Sequence, residues 1–214
     1  MKPTPKRRVI VDGTEYFIGE RPIIFRPEMV AAINDGRKTQ TRRVIRHGHV
    51  FRFCRGGDLS ADERRAIYKN PFRWEVGYQG HPTKEQLLSI CPFGVPGDRL
   101  WVRESYSVYG TERIYKDDPR AATHVSSRAW RSPILMPRAA SRLTLEITDV
   151  RVQRVQEISD EDAIAEAVAP HGEQTWYEGK ARGMFHTGWE YIHGPGSWDR
   201  NDWVWAITFR KVEA

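Results

Sequence analysis

The sequence has few cysteines and no long apolar run, and each absence excludes a class of protein. Two cysteines among 214 residues, Cys54 and Cys91, are too few for a disulfide scaffold. No apolar stretch approaches the roughly 18 residues that a membrane helix needs. Residues 1–8 are basic and lack the apolar segment of a signal peptide. We therefore expect a cytoplasmic protein that has no membrane partner.

Acidic residues are also in the minority. The chain has 34 Lys and Arg against 28 Asp and Glu, which gives a formal net charge of +6. Most of the basic residues are Arg, whose planar guanidinium contacts phosphate in a bidentate way and stacks on bases. This balance favours a polyanionic partner such as RNA or DNA. The 39% hydrophobic fraction is sufficient for a packed core.

The most informative segment is residues 36–43, Gly-Arg-Lys-Thr-Gln-Thr-Arg-Arg. Its cations can hold an anion, and a solvated cationic loop is the alternative interpretation. A threonine hydroxyl becomes a useful nucleophile only when a base takes its proton. Lys38 can be that base for Thr41 if burial and neighbouring charge lower the lysine pKa. The segment therefore leaves two uses open, anion binding and catalysis.

Periodicity and turn signals predict helices separated by strands. Pro27 opens a helix in which Met29, Val30 and Ile33 share a face, and Gly36 is its C-terminal cap. Ser159 caps a second helix, with Asp162 at the capping-box position and a stop by Pro170. A third helix is predicted over 184–193. Strands are predicted over 9–11 and 14–18 (a hairpin with an Asp-Gly turn), 22–25, 41–45, 101–103 (after a Pro-Gly turn), 141–155 and 203–209.

Two details of these strands bear on the site. In the strand over 41–45, alternation puts Thr41, Arg43 and Ile45 on one face and Arg42 and Val44 on the other. In the strand over 141–155, the apolar phase changes near residues 148–149, which predicts a bulge.

Strands dominate, so we expect a compact α+β domain built on a small mixed barrel. Residues 1–19 are assigned to a basic arm and hairpin, and residues 20–212 to one domain. Residues 46–93, with a helix candidate over 60–68, and residues 105–137 are read as two large insertions.

Residues 36–43 resemble the signature of ASCH domains, which is Gly, any residue, Lys, and then an Arg a few positions on. Pro-Gly-Asp-Arg-Leu at 96–100 resembles the family's second block, a Gly-Asp turn that enters a strand. The segments at 21–25, 91–94 and 196–199 are similar to those of the longer phage and prophage members. The resemblance covers roughly residues 20–212 and implies a PUA-like β-barrel with flanking helices.

The resemblance also implies a reaction. Some small bacterial members of the family are amidohydrolases that remove the acetyl group from N4-acetylcytidine with Lys, Thr and Glu. The matching positions here are Lys38, Thr41 and Glu166, with Glu161 as the neighbouring candidate for the carboxylate. Arg43 matches a family arginine that holds substrate or an oxyanion. No cofactor is implied.

Further substrate contacts are expected from Arg37 and Arg42, and from Glu104, which ends the strand after the Pro-Gly turn. Trp198, in a glycine-rich loop, is the aromatic side chain best exposed for stacking on a base. Core packing is the first interpretation of the tryptophans near strands, and base stacking is the second; these are Trp101, Trp203 and Trp205.

A zinc site could be drawn from His47, His49, Cys54 and Cys91, but their spacing matches no compact ligand pattern. We therefore expect no metal.

Three functions stay open on the sequence alone. The first is hydrolysis of an N-acylated nucleobase, in a modified nucleoside or in RNA. The second is non-catalytic RNA or DNA binding by a module of phage origin. The third is a ribonuclease, since Lys, Thr and Arg can also support phosphodiester cleavage.

Overall fold

The computed structural model describes residues 7–11, 14–45, 88, 91–124, 129–166 and 180–212. The chain divides into two compact units. Unit 1 comprises residues 1–39, 96–149 and 208–214, and unit 2 comprises residues 40–95 and 150–207. Two long strands pass from one unit into the other, so neither unit is a continuous stretch of sequence. The assignment of residues 20–212 to one domain stays a prediction.

Nine strands and four α-helices lie within the described residues. The strands are β1 (Arg7–Val11), β2 (Thr14–Ile18), β3 (Glu20–Ile24), β4 (Gln40–Val44), β5 (Arg99–Arg103), β6 (Tyr106–Tyr109), β7 (Glu112–Tyr115), β8 (Thr144–Arg154) and β9 (Trp203–Lys211). The helices are α1 (Pro27–Asn34), α2 (Ala121–His124), α3 (Asp160–Ala165) and α4 (Ala181–His193).

The main sheet has five strands in the order β3-β5-β8-β9-β4. Strands β3 and β5 run parallel, whereas β5 and β8 run antiparallel, so the sheet is mixed. The predicted α+β class is confirmed. Closure of the sheet into a barrel stays a prediction.

The N-terminal hairpin is confirmed. Strands β1 and β2 pair antiparallel, and Val11 lies opposite Thr14. This register leaves two residues for the turn, as an Asp-Gly connection requires. The turn residues themselves lie outside the described part of the chain.

Helix α1 fixes the start of the basic segment. It begins at Pro27 and buries Val30, Ala32 and Ile33, whereas Met29 of the predicted face is only half-buried. Gly36 follows the helix with a φ of 75°, a left-handed conformation that favours glycine. The chain therefore turns sharply at the point where the cationic residues start.

The predicted insertion over 105–137 contains structure that its polar sequence did not indicate. Strands β6 and β7 form an antiparallel hairpin, with Tyr109 opposite Glu112. Tyr106 packs with Met136 and Ala140 in a small core of its own, and Tyr115 covers it. Most of the other predicted insertion, including the helix candidate over 60–68, lies outside the described residues.

Unit 2 has its core between its strands and two helices. The buried cluster consists of Val155, Ile158, Ala163, Ala181, Phe185, Trp189 and Val204. Strand β8 shows the predicted change of phase, because Thr148 and Asp149 are both exposed between buried Ile147 and Val150. Helix α3 is shorter than predicted: it ends at Ala165, and residues 167–179 lie outside the described part of the chain.

Candidate functional site

Lys38 is a buried side chain of unit 1. Its backbone N–H donates to the carbonyl of Ala32 at 3.0 Å, and the N–H of Arg37 donates to the same carbonyl at 2.9 Å. The side chain is 3% exposed, and its Nζ lies 5.7 Å from the centre of the Phe25 ring. The end of α1 therefore holds Lys38 inside the unit, against an aromatic face.

Alternate residues of strand β4, which continues the basic segment, lie on opposite faces of the strand. Arg42 and Val44 both contact the α3–α4 side of unit 2, since Arg42 lies over the Phe185 ring and Val44 packs on the buried cluster. This part of the predicted alternation is confirmed. The period of two places Thr41 and Arg43 on the opposite face. Thr41 is 5% exposed, so its hydroxyl is also buried.

Arg42 is the centre of a buried ion cluster. One guanidinium nitrogen donates to Gln40 Oε1 at 2.6 Å and to Glu166 Oε1 at 3.3 Å. The other donates to Asp162 Oδ2 at 2.7 Å. The Arg42 side chain has no exposed surface. Its predicted role as a substrate contact would require a surface that it does not offer in this structure.

Asp162 is the best-supported carboxylate of the cluster. Besides Arg42 it accepts from Gln40 at 3.0 Å and from Arg151 at 2.9 Å and 3.1 Å. Burial raises the pKa of Asp162, but the Gln40 hydrogen bond and the two arginine charges outweigh it and hold the pKa below its ordinary value. Ser159 caps the N–H of Asp162 at 3.1 Å as predicted, whereas the Asp162 carboxylate binds the arginines instead of completing a capping box.

Helix α3 presents its two relevant carboxylates on one side. Asp162 and Glu166 are four residues apart, with Glu166 at the helix C-cap, so both reach Arg42. Glu166 is 5% exposed, whereas Glu161 is on the exposed side of the helix. Between the two candidates for the catalytic carboxylate, the geometry favours Glu166.

Arg43 is half-buried on the other face of β4. Burial of its guanidinium lowers the pKa of Arg43, and the negative charge of Glu166 opposes that shift. Glu166 thus acts electrostatically on arginines from both faces of β4. Counting Arg42, Arg43 and Arg151 against Asp162 and Glu166 leaves this part of unit 2 with one net positive charge.

The sequence does not single out Gln40 and Arg151, and it indicates only a capping role for Asp162. The signal for Asp162 was available in its four-residue spacing from Glu166 on a helix. Arg151 carried no such signal, because only the folded β8 brings it to Asp162.

Arg37, predicted to bind substrate, lies near the surface of unit 1. Its side chain is 35% exposed and pairs with Asp35 at 3.0 Å. Such a pair contributes little to stability, so Arg37 can exchange its partner for an anionic ligand.

Glu104 belongs to a second ion cluster, inside unit 1. Its carboxylate accepts two hydrogen bonds from Arg142, at 3.0 Å and 2.8 Å, and Arg142 also pairs with Asp117. The Arg142 guanidinium stacks on the Tyr115 ring at 4.1 Å. Burial raises the pKa of Glu104, although the hydrogen bond and charge of Arg142 oppose the rise. The Arg142, Asp117 and Tyr115 partners were not predicted.

Trp198 is half-buried, not openly exposed as predicted. His186 stacks on it at 4.7 Å, Phe185 meets it edge-on at 6.2 Å, and Arg182 lies 5.9 Å from the ring centre. Its ring is therefore part of the α4 surface of unit 2. The core interpretation holds for Trp101 and Trp205, which are both buried.

Trp203 is half-buried, and the Arg154 guanidinium lies 4.4 Å from its ring centre. Burial lowers the pKa of Arg154 against the opposing charges of Glu157 and Asp202.

Within the described residues, no group of three or more His, Cys, Asp or Glu side chains is arranged to hold a metal ion. The suggested ligands His47, His49 and Cys54 lie outside those residues. Of the helices in the described segments, none combines the length and the apolar character needed to cross a membrane.

Comparison with known proteins matches the chain to a solved structure. No protein-family model matches the chain, and no curated protein matches it. Among solved structures, the chain matches an ASCH domain from Lactobacillus crispatus JV V101 with a TM-score of 0.33 and 10% identity. The match covers 90% of this chain and 79% of that chain. It is the family that the motifs resemble, but a likeness with this TM-score supports no conclusion about residues or activity.

Proposed function

We propose that the protein hydrolyses the amide bond of an N-acylated nucleobase, with N4-acetylcytidine as the model substrate. The observation that carries the proposal is that unit 2 buries Thr41 and Glu166 and that the charge of Glu166 acts on the half-buried Arg43. A hydroxyl, a cation and a carboxylate are the three groups that amide hydrolysis uses, and the family resemblance points to the same residues.

The proposed steps follow from the chemistry of each side chain. Lys38, three residues before Thr41 in the chain, acts as the neutral amine and takes a proton from the Thr41 hydroxyl or from a water molecule. The activated oxygen attacks the amide carbonyl, and Arg43 stabilises the oxyanion, an effect worth about 3 kcal/mol in comparable sites. Glu166 relays the proton that Lys38 has taken up to the leaving amine as the C–N bond breaks. Where Thr41 is the nucleophile, a water molecule then hydrolyses the acetyl-threonine ester and restores the hydroxyl. By either route one water is consumed, and the products are acetate and the free amino base.

The experiment is the release of acetate from N4-acetylcytidine by the wild-type protein and by Lys38→Ala. Turnover by the wild type and a loss of at least about a thousandfold in the variant support the proposal. Lys211→Ala is the matched control, because Lys211 is an exposed lysine whose Nζ makes one surface hydrogen bond with Asn34 at 3.0 Å. Full turnover by Lys38→Ala would remove Lys38 from the mechanism.

A second candidate function is non-catalytic binding of RNA or DNA. It is favoured by the arginine and tryptophan pairs of unit 2, Arg182 with Trp198 and Arg154 with Trp203. Guanidinium groups bind phosphate and stack on bases, and half-buried indole rings can extend such a stack. Binding of this kind weakens steeply with salt. A titration of labelled single-stranded RNA at about 50 mM and about 200 mM salt tests it, and intact RNA after the incubation argues against a ribonuclease.

A further inference from the structure

We propose that Arg42 is a positioning residue, which sets the orientation of Glu166 and does not contact the substrate. The inference rests on the proposed function, because it concerns how the Glu166 carboxylate is held for proton transfer. It reassigns an arginine of the basic segment whose side chain has no exposed surface.

The donors of Arg42 are directed at protein groups. The two terminal nitrogens donate to Gln40, Asp162 and Glu166, and the Phe185 ring lies 5.6 Å from the guanidinium carbon. A ligand would have to displace a carboxylate to reach this guanidinium. The Nε atom is buried, and the described residues offer it no hydrogen-bond partner. The guanidinium is thus fixed by its terminal nitrogens even though Nε loses its solvent hydrogen bond.

A gain in stability does not by itself explain why the Arg42 cluster is buried. Removing charged groups from water costs more than a buried ion pair usually returns, and apolar residues of similar volume often stabilise as well. A planar guanidinium is better suited to setting geometry, because its donors lie in one plane at fixed angles. Here those donors reach two carboxylates of one helix, at Asp162 and Glu166.

Asp162 is the anchor through which Arg42 is held. Gln40 and Arg151 both donate to the Asp162 carboxylate, and Asp162 makes the shorter of the two ion pairs with Arg42, 2.7 Å against 3.3 Å to Glu166. The short contact with Asp162 fixes the Arg42 guanidinium. The longer contact orients the Glu166 carboxylate but leaves its proton-carrying oxygen free to move. Removing the charge of Asp162 should therefore loosen Arg42 and, through it, change the orientation of Glu166.

The alternative is that Arg42 only stabilises the fold, and a double-mutant design separates the two roles. Arg42→Lys keeps the charge but loses the planar donor pair, and Asp162→Asn keeps the shape but removes the anchor's charge. Each is combined with Glu166→Gln, and kcat and KM for N4-acetylcytidine are measured for all variants. Arg210→Lys is the matched control, since Arg210 makes an exposed ion pair with Glu146 at 2.9 Å.

The expected result is a fall in kcat of about 10- to 100-fold in Arg42→Lys, with KM changed less than about twofold. The same change made in the Glu166→Gln protein should lower the residual kcat less than about twofold, because the group that Arg42 positions is already gone. Asp162→Asn should likewise lower kcat when Glu166 is present and change it little in the Glu166→Gln protein. If Arg42→Lys fails to fold, the Asp162→Asn result tests the inference in its place. Arg210→Lys should match the wild type.

Two results overturn the inference, and they are distinguishable. If the wild type turns over substrate and the arginine change lowers kcat equally in both backgrounds, Arg42 acts independently of Glu166 while the proposed function stands. If the wild type releases no acetate, the proposed function fails and the catalytic role of Arg42 fails with it.

Discussion

Each unit of the molecule holds an arginine between two carboxylates, yet the two arginines differ in exposure. In unit 2 Arg42 has no exposed surface and bonds Asp162 and Glu166. In unit 1 the Arg142 side chain is 34% exposed and bonds Glu104 and Asp117. The Arg42 guanidinium is therefore enclosed by protein acceptors and the Phe185 ring, whereas one side of Arg142 is exposed to water.

The carboxylates differ as well, because Asp162 is less buried than Glu104 and accepts from more donor groups. Asp162 accepts from Gln40, Arg42 and Arg151, and its pKa lies below the ordinary value despite burial. Within the described segments Glu104 has Arg142 as its ion-pair partner, and burial raises the pKa of Glu104. A half-buried carboxylate that several donors surround is harder to protonate, whereas a fully buried carboxylate with one cationic partner becomes easier to protonate.

The largest effect on stability is expected for Arg42→Met. The variant leaves Asp162 and Glu166 without their shared cation in a buried site, so the free energy of unfolding should fall by about 3–5 kcal/mol. Chemical denaturation measures it. The exposed counterpart Arg210→Met should cost less than about 1 kcal/mol. Equal losses at the two positions would contradict the description of the Arg42 cluster as buried.

A smaller loss is expected for Arg142→Met, about 2 kcal/mol near neutral pH, because water can solvate part of the site and Glu104 can take up a proton. The loss in Arg142→Met should also depend on pH, since protonation of Glu104 removes the stranded charge. Denaturation at about pH 5 and about pH 7 tests this, and a loss that is larger at the acidic pH would contradict it.

The smallest effects are the opposite pH slopes of Asp162 and Glu104. The pKa of Asp162 is below 3.8 in the folded state, so its contribution is present above pH 3.8 and is lost as the pH falls through the folded pKa. The free energy of unfolding of Asp162→Asn should therefore come closer to that of the wild type at acidic pH. The change is about 1.4 kcal/mol for each unit by which the folded and unfolded pKa values differ.

For Glu104 the sign reverses. Its pKa in the folded state lies above 4.5, so the unfolded chain loses its proton first as the pH rises. The free energy of unfolding then falls between pH 4.5 and the folded pKa. The free energy of unfolding of Glu104→Gln should come closer to that of the wild type as the pH rises through that window. pH slopes of the same sign for the two carboxylates would contradict the contrast between the two clusters.

The sequence predicted the elements that local chemistry controls. Pro27, the left-handed Gly36 and the Ser159 cap set helix boundaries through backbone geometry and one hydrogen bond, and each is readable without tertiary contacts. The alternation of β4 likewise assigned Arg42 and Val44 to one face.

The partners of the charged residues were less predictable. Arg151 meets Asp162, and Arg142 meets Glu104, across 11 and 38 residues of chain. Such pairs depend on how strands and helices pack, for which a single sequence gives no spacing rule. The hairpin of β6 and β7 could not be predicted for a related reason. Its aromatic residues pack with Met136 and Ala140, which come from a separate and later part of the chain.

The proposed amide hydrolysis depends on the Glu166 carboxylate of unit 2. Its most direct test is acetate release from N4-acetylcytidine by the wild type and Glu166→Gln, with Glu146→Gln as the control at an exposed ion pair. We expect turnover by the wild type and the control, and a kcat at least about 100-fold lower in Glu166→Gln. Turnover by Glu166→Gln at the wild-type rate, or none by the wild type, would contradict it.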